Sequence, residues 1–221
     1  MNKVIQNPIA DVFKYLAISI LFCFLGYGFG VAFVPESVAM IANIIVVVMV
    51  VALLILCLVS RKGIIPDRFS MNWVYLFTFI DGIILYPIIQ MYVGSLGKEI
   101  VISVLFITAL IFLVLSTIAR REKSDKYLKL GNTLFIGLII LIPFTIIASF
   151  IGFGAFNITV TVFSIIIFSG YILYDVSLVK YEIENGNIND SKDLSIHVLN
   201  LYLDFINIFL DILNLIYDFK E

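Results

Sequence analysis

From Leu130 to Tyr174 the chain runs for 45 residues without one charged side chain. Wound as a single α-helix, that stretch would be about 68 Å long, more than twice the roughly 30 Å of a bilayer's hydrocarbon. It is therefore expected to cross a membrane twice. The reversal is expected at Phe150–Asn157, where Gly152 and Gly154 permit a tight turn.

The remaining chain divides the same way. Tyr15–Val34, Ser37–Ser60, Phe69–Gly97, Ile100–Ala119 and Leu194–Tyr217 are each long and apolar enough to span. The first is too long for the apolar stretch of a cleavable signal. The sequence thus predicts an all-α membrane protein, a single seven-helix domain over residues 1–221. Composition leaves little else: 62% of residues are apolar and 14% charged, against about 25% charged in a soluble domain. A net charge of −2 with dispersed bases excludes a nucleic-acid groove. With the N-terminus in the cytoplasm, 12 of the 14 Lys and Arg residues fall on the cytoplasmic side, leaving Lys98 and Lys220 outside. The expected topology is N-terminus in and C-terminus out, and the short connections favour a bacterial plasma membrane. Membrane lipid is the expected surroundings of the whole domain.

Cys23 and Cys57 both lie in apolar runs and imply neither a disulfide nor a thiolate metal site. The lone His197 has no second histidine for a zinc site and reads as a helix-end residue at the interface. Gly26, Gly28 and Gly30 lie inside a span with no preceding strand, so close helix packing is the better reading than phosphate binding. Pro87 and Pro143 fall inside the third and fifth spans. The bases from Arg120 to Lys129 read as a topology signal and a contact for anionic headgroups.

The costly residues are the acidic ones inside the spans. Asp81, Asp204 and Asp211 stand clear of span ends, and Asp175 sits near the end of the sixth span. A carboxylate there costs about 2.5–3.5 kcal/mol on insertion scales. In the last span, Asn200, Asp204, Asn207, Asp211 and Asn214 are spaced 4, 3, 4 and 3 apart. At 3.6 residues per turn they form one stripe about 21 Å long, which must face the interior or water. Asparagines alone would be read as interhelical glue. Aspartates point further, because an amide would pack at lower desolvation cost. Asp81, Asn200, Asn207, Asp211 and Asn214 are therefore candidate pore-lining residues.

The run "SGYILYDVSLVK", an acidic loop and then "LNLYLDFINIFLDILNLI" resemble the transmembrane Bax inhibitor motif family in its bacterial calcium-leak type. The segment "DGIILYPII", Gly82 to Pro87, is similar to that family's third span. The resemblance implies a central seventh helix wrapped by two three-helix brackets, and a pH-sensitive calcium leak channel. It implies that Asp175 and Asp204 form the sensor and gate, in transient contact with calcium, and that Arg61 in "CLVSRK" latches the second aspartate. Calcium is then the permeant ion, and no cofactor is expected. Physical chemistry supports such a pair. Two carboxylates held close in a low dielectric do not both ionise cheaply; a shared proton closes the pair, and its loss leaves like charges that repel or recruit a cation.

Two other readings stand beside the channel. One is a non-transporting regulator partnered with a membrane-anchored protease, in which the aspartates only stabilise the bundle. The other is a proton-coupled cation antiporter. An enzyme is not expected, because Ser and Thr are scattered without a base and no metal-ligand set is present.

Overall fold

The computed structural model describes residues 7–42, 44–45, 68–151 and 154–220. Among these residues the chain is helical and carries no strand: α1 (Pro8–Phe33), α2 (Met71–Leu96), α3 (Lys98–Arg121), the short α4 (Asp125–Leu128), α5 (Gly131–Ile151), α6 (Ala155–Glu184) and α7 (Ser195–Lys220). Six of them are long and apolar enough to cross a membrane. They match six of the seven expected spans. The other, 37–60, begins in helix at 36–42 and otherwise lies largely outside the described residues, as do Cys57, Arg61 and Gly152. The long uncharged run does break where expected. α5 ends at Ile151 and α6 starts at Ala155, after Gly154 with φ +141°, a conformation that favours glycine.

The helices turn apolar side chains outward. Phe106, Leu110 and Ile166 are all more than 60% exposed, as suits a surface solvated by lipid rather than water. Hydroxyls on the spans are hidden locally. Ser103, Thr108, Thr117, Thr145 and Thr159 each donate to the carbonyl four residues earlier on their own helix.

The chain forms two compact units, residues 1–91 with 189–199 and residues 92–188 with 200–221. In the first, α1 and α2 cross with their backbones in contact. A Cβ on Gly26 would run into the Phe79 carbonyl, and one on Gly82 into the Cys23 carbonyl. Gly30 meets the Tyr86 ring, while Gly28 faces open space. Close packing therefore explains two of the three glycines in the Gly-x-Gly-x-Gly run, and it gives Gly82 its function in the third span. Around the crossing, Phe22 stacks on Tyr75 with centroids 5.1 Å apart, and Tyr27 donates to Gln90 at 2.8 Å. The Tyr86 hydroxyl donates to the Val34 carbonyl at 2.6 Å, just beyond the end of α1.

The second unit is built around α6. Leu141 and Ala148 of α5 pack with Val160 and Ile167 of α6. Lys180 Nζ donates to the carbonyls of Arg120 and Glu122 and so satisfies the end of α3. Among the described helices α7 is the most enclosed, with Leu201, Tyr202, Ile208 and Leu213 fully buried.

Candidate functional site

Helices α6 and α7 run antiparallel in the second unit, and their polar residues meet in register. Ser164 Oγ donates to Asp211 at 2.5 Å, Asn214 Nδ2 donates to Thr161 Oγ1 at 2.9 Å, and Asn157 Nδ2 donates to Asp218 at 2.7 Å. As α7 advances by three and then four residues, α6 retreats by three and then four in step. Eleven residues further along α6, and seven and eleven residues back along α7, the Asp175 carboxyl hydrogen-bonds to the side chains of Asp204 and Asn200. The contacts therefore form a ladder from Asp175 to Asn157. Those 18 residues of α6 cover about 27 Å, close to the hydrocarbon thickness.

The Asp175–Asp204 rung is the most deeply buried. Asp175 is 3% exposed and Asp204 4%. Each carboxyl is the other's hydrogen-bond partner, so at least one proton sits between them whenever that bond is made, since two carboxylates are both acceptors. Among the described residues, Asp204 Oδ2 has no hydrogen-bond partner. Ser177, two residues beyond Asp175, is fully buried, and its hydroxyl has no partner among the described residues.

The expected stripe on α7 is thus present, and four of its five residues face partners in this unit. Asn200 and Asp204 meet Asp175, Asp211 meets Ser164, and Asn214 meets both Thr161 and the Tyr92 hydroxyl, the latter at 3.3 Å. Asn207 differs: its amide donates to the Leu203 carbonyl of its own helix at 2.8 Å. Phe205, Phe209 and Leu213 between the rungs are all buried, so they pack within the protein rather than face lipid. Asp81 is half-buried on α2 in the first unit. Arg61, the expected latch, lies outside the described residues.

Sequence reasoning considered α7 alone and missed the partners on α6. Asn157, Thr161 and Ser164 carry the complementary 4, 3 spacing, and that mirrored pattern was the available signal. It also missed an ion-pair clamp in the first unit. Arg68 Nε lies 2.5 Å from Asp193 and its Nη2 3.6 Å from Asp190. Asp193 further accepts the backbone N–H groups of Asn189 and Asp190, and Ser195 Oγ accepts the N–H of Phe69. The segment entering α2 is thereby tied to the segment entering α7. The backbone N–H of Lys192, reinforced by that of Asp193 and by Arg68, holds the Asp190 carboxyl below its ordinary value.

A family described as inhibitor of apoptosis-promoting Bax1 matches residues 5–221 of this chain. A Vibrio cholerae protein named only as an uncharacterized membrane protein is 32% identical over 164 residues, 73% of each chain. A Helicobacter pylori protein is 29% identical over 129 residues, 58% of this chain and 56% of its own. A Streptococcus pyogenes uncharacterized membrane protein is 34% identical over 100 residues, 44% and 43% of the two chains.

Proposed function

The chain belongs to the Bax inhibitor family of membrane proteins, and from that premise we propose that it is a pH-sensitive leak channel for calcium. The observation that carries this reading is the hydrogen bond between Asp175 of α6 and Asp204 of α7, both buried inside membrane-spanning helices. With a shared proton the two carboxyls draw α6 and α7 together. Without it they present two like charges to each other in a low dielectric, where at 4 Å and an effective ε of 20 the repulsion is about 4 kcal/mol. That is enough to separate helices or to recruit a divalent cation, and calcium prefers carboxylate and carbonyl oxygens. The Asn200 amide and the rungs beyond it line the route on the same faces. In this reading calcium is cargo, the protein is not an enzyme and needs no cofactor, and the N-terminus faces the cytoplasm of a bacterial plasma membrane.

The test is calcium entry into dye-loaded liposomes holding the purified full chain, with external pH stepped from about 6 to about 8. The expected result is a calcium flux that depends on pH in the wild type. Asp175→Asn and Asp204→Asn should each flatten that dependence, because a single carboxyl has no partner to share a proton with. Absence of calcium flux at every pH would favour the non-transporting regulator, a partner of a membrane protease. Flux that requires an imposed proton gradient would favour the antiporter.

A further inference from the structure

The bases at the end of α3 take no part in the ladder. They line a cavity of about 370 Å³ between the end of α3, the turn into α4 and the end of α6, a volume within the roughly 300–1,000 Å³ of ligand-sized clefts. Its walls carry Arg121, Lys123 and Lys180 beside Glu122, Asp125 and Glu184, so the two signs balance. Two contacts fix its floor. The Ser124 hydroxyl, buried, donates to Glu184 Oε2 at 2.5 Å, and Lys180 Nζ donates to the Arg120 and Glu122 carbonyls. Opposite charges share the cavity, yet among the described residues no two of these six side chains form an ion pair with each other; Glu122 pairs instead with Lys126 at 2.9 Å. An apolar track leads up to this rim. Phe106, Leu110, Val114 and Ile118 recur every four residues along α3, are each more than 40% exposed, and end one turn short of Arg121.

We propose that this cavity holds the headgroup of one phospholipid that carries both a phosphate and a primary ammonium, a phosphatidylethanolamine. Arg121 and Lys123 take the phosphate, and Glu184 and Asp125 take the ammonium. The balance of charge selects the headgroup. A phosphate without an amine would meet the bases but leave the carboxylates opposing it, whereas an ethanolamine phosphate meets both signs. Arg121 offers its guanidinium fork to phosphate oxygens. Glu184, held by Ser124 through Oε2, keeps Oε1 as an acceptor for one of the three N–H groups of an ammonium. A choline headgroup has no N–H to give. A lipid rather than a soluble phosphate ester is the source, because the apolar track on α3 offers its acyl chain a place directly beside the headgroup. This site does not involve the Asp175–Asp204 pair and stands whether or not the protein conducts calcium.

The test is native mass spectrometry of the purified full chain, equilibrated in detergent with equal amounts of phosphatidylethanolamine, phosphatidylglycerol and phosphatidylcholine of the same acyl chains. The ethanolamine lipid should be retained several-fold over the other two. Arg121→Gln combined with Lys123→Gln should lower its retention several-fold. Glu184→Gln leaves the phosphate side intact and should remove the advantage of the ethanolamine lipid over the choline lipid. Arg121, Lys123 and Glu184 are all exposed, so the variants keep the packed bundle, and each side of the site is tested without the other. A preference for the glycerol lipid, equal retention of all three lipids, or wild-type selectivity in both variants would overturn the proposal. So would displacement of the ethanolamine lipid by soluble phosphoethanolamine at the same concentration, which would show that the acyl chain contributes nothing.

Discussion

Replacing Arg68 by alanine tests whether the clamp holds the start of α7. Arg68 is 59% exposed but its partner Asp193 only 7%, so the pair lies between two regimes. An exposed pair contributes about 0.2–1 kcal/mol, and stranding one partner of a buried pair costs about 3–5 kcal/mol. Asp193 keeps two backbone N–H donors after the substitution, which lowers the penalty. Arg68→Ala should therefore destabilise by about 1–2 kcal/mol. Asp193→Ala loses the guanidinium and both N–H groups and should cost more, about 2–4 kcal/mol. Arg68→Lys should recover only part, because an ammonium cannot reproduce the fork that reaches Asp193 and Asp190 at once. The pH dependence has a definite sign. The folded-state value of Asp190 is lowered below 3.8, so its contribution is fully present above that value and is lost as pH falls through the folded one. The assay is denaturant unfolding in nanodiscs with hydrogen exchange over 186–199. Arg68→Ala should speed exchange there and leave the ladder rungs at 157–164 protected. A cost below about 0.5 kcal/mol with unchanged exchange at 189–195 would show that the ion pair holds nothing.

The ladder predicts non-additivity. Thr161→Val and Asn214→Leu should each destabilise by about 1–2 kcal/mol and the double variant by less than their sum, with a coupling of about 0.6–1.7 kcal/mol in a double-mutant cycle of unfolding free energies. Additive costs would mean the 2.9 Å contact contributes nothing. The α1–α2 crossing gives a steric test. Gly82→Ala drives a Cβ into the Cys23 carbonyl and should cost about 1–3 kcal/mol, while Gly28→Ala enters open space and should be neutral or slightly stabilising. Equal thermal midpoints for the two variants would refute the backbone contact.

Much of this fold was legible because lipid enforces a simple rule. Apolar runs of about 20 residues become helices, and six of the seven expected spans coincide with helices in the described residues. The break in the long uncharged run fell at Gly154 because a reversal needs a residue tolerant of φ +141°. The stripe on α7 was readable from its period. Its partners were not, because periodicity within one helix says which residues share a face but not what lies opposite. Asn207 shows the same limit, since its place on the stripe did not foretell that its amide turns back to Leu203. The Arg68 clamp was hidden for another reason. It joins residues more than a hundred positions apart in loops that have no period at all.

Adjacent rungs of the ladder supply an internal comparison for what the carboxylates do. Asn214 and Thr161 show that an amide and a hydroxyl suffice to join α6 to α7 at this depth. One turn away, Asp211 makes the same kind of contact to Ser164 with a carboxyl. An asparagine at 211 could accept from that serine equally well and would carry no charge to desolvate. The same holds at 204, where an amide could accept from a protonated Asp175. If joining helices were the whole role, both aspartates would be the costlier choice beside a cheaper one already in use. What a carboxylate adds over an amide is a titrating proton and a site for a cation. The ladder therefore sets a neutral rung, Asn214 with Thr161, beside acidic ones at Asp204 and Asp211. Asp→Asn substitution at those two positions should leave helix packing near wild type while removing proton or cation responses. Loss of folding in both would instead assign the carboxylates to structure.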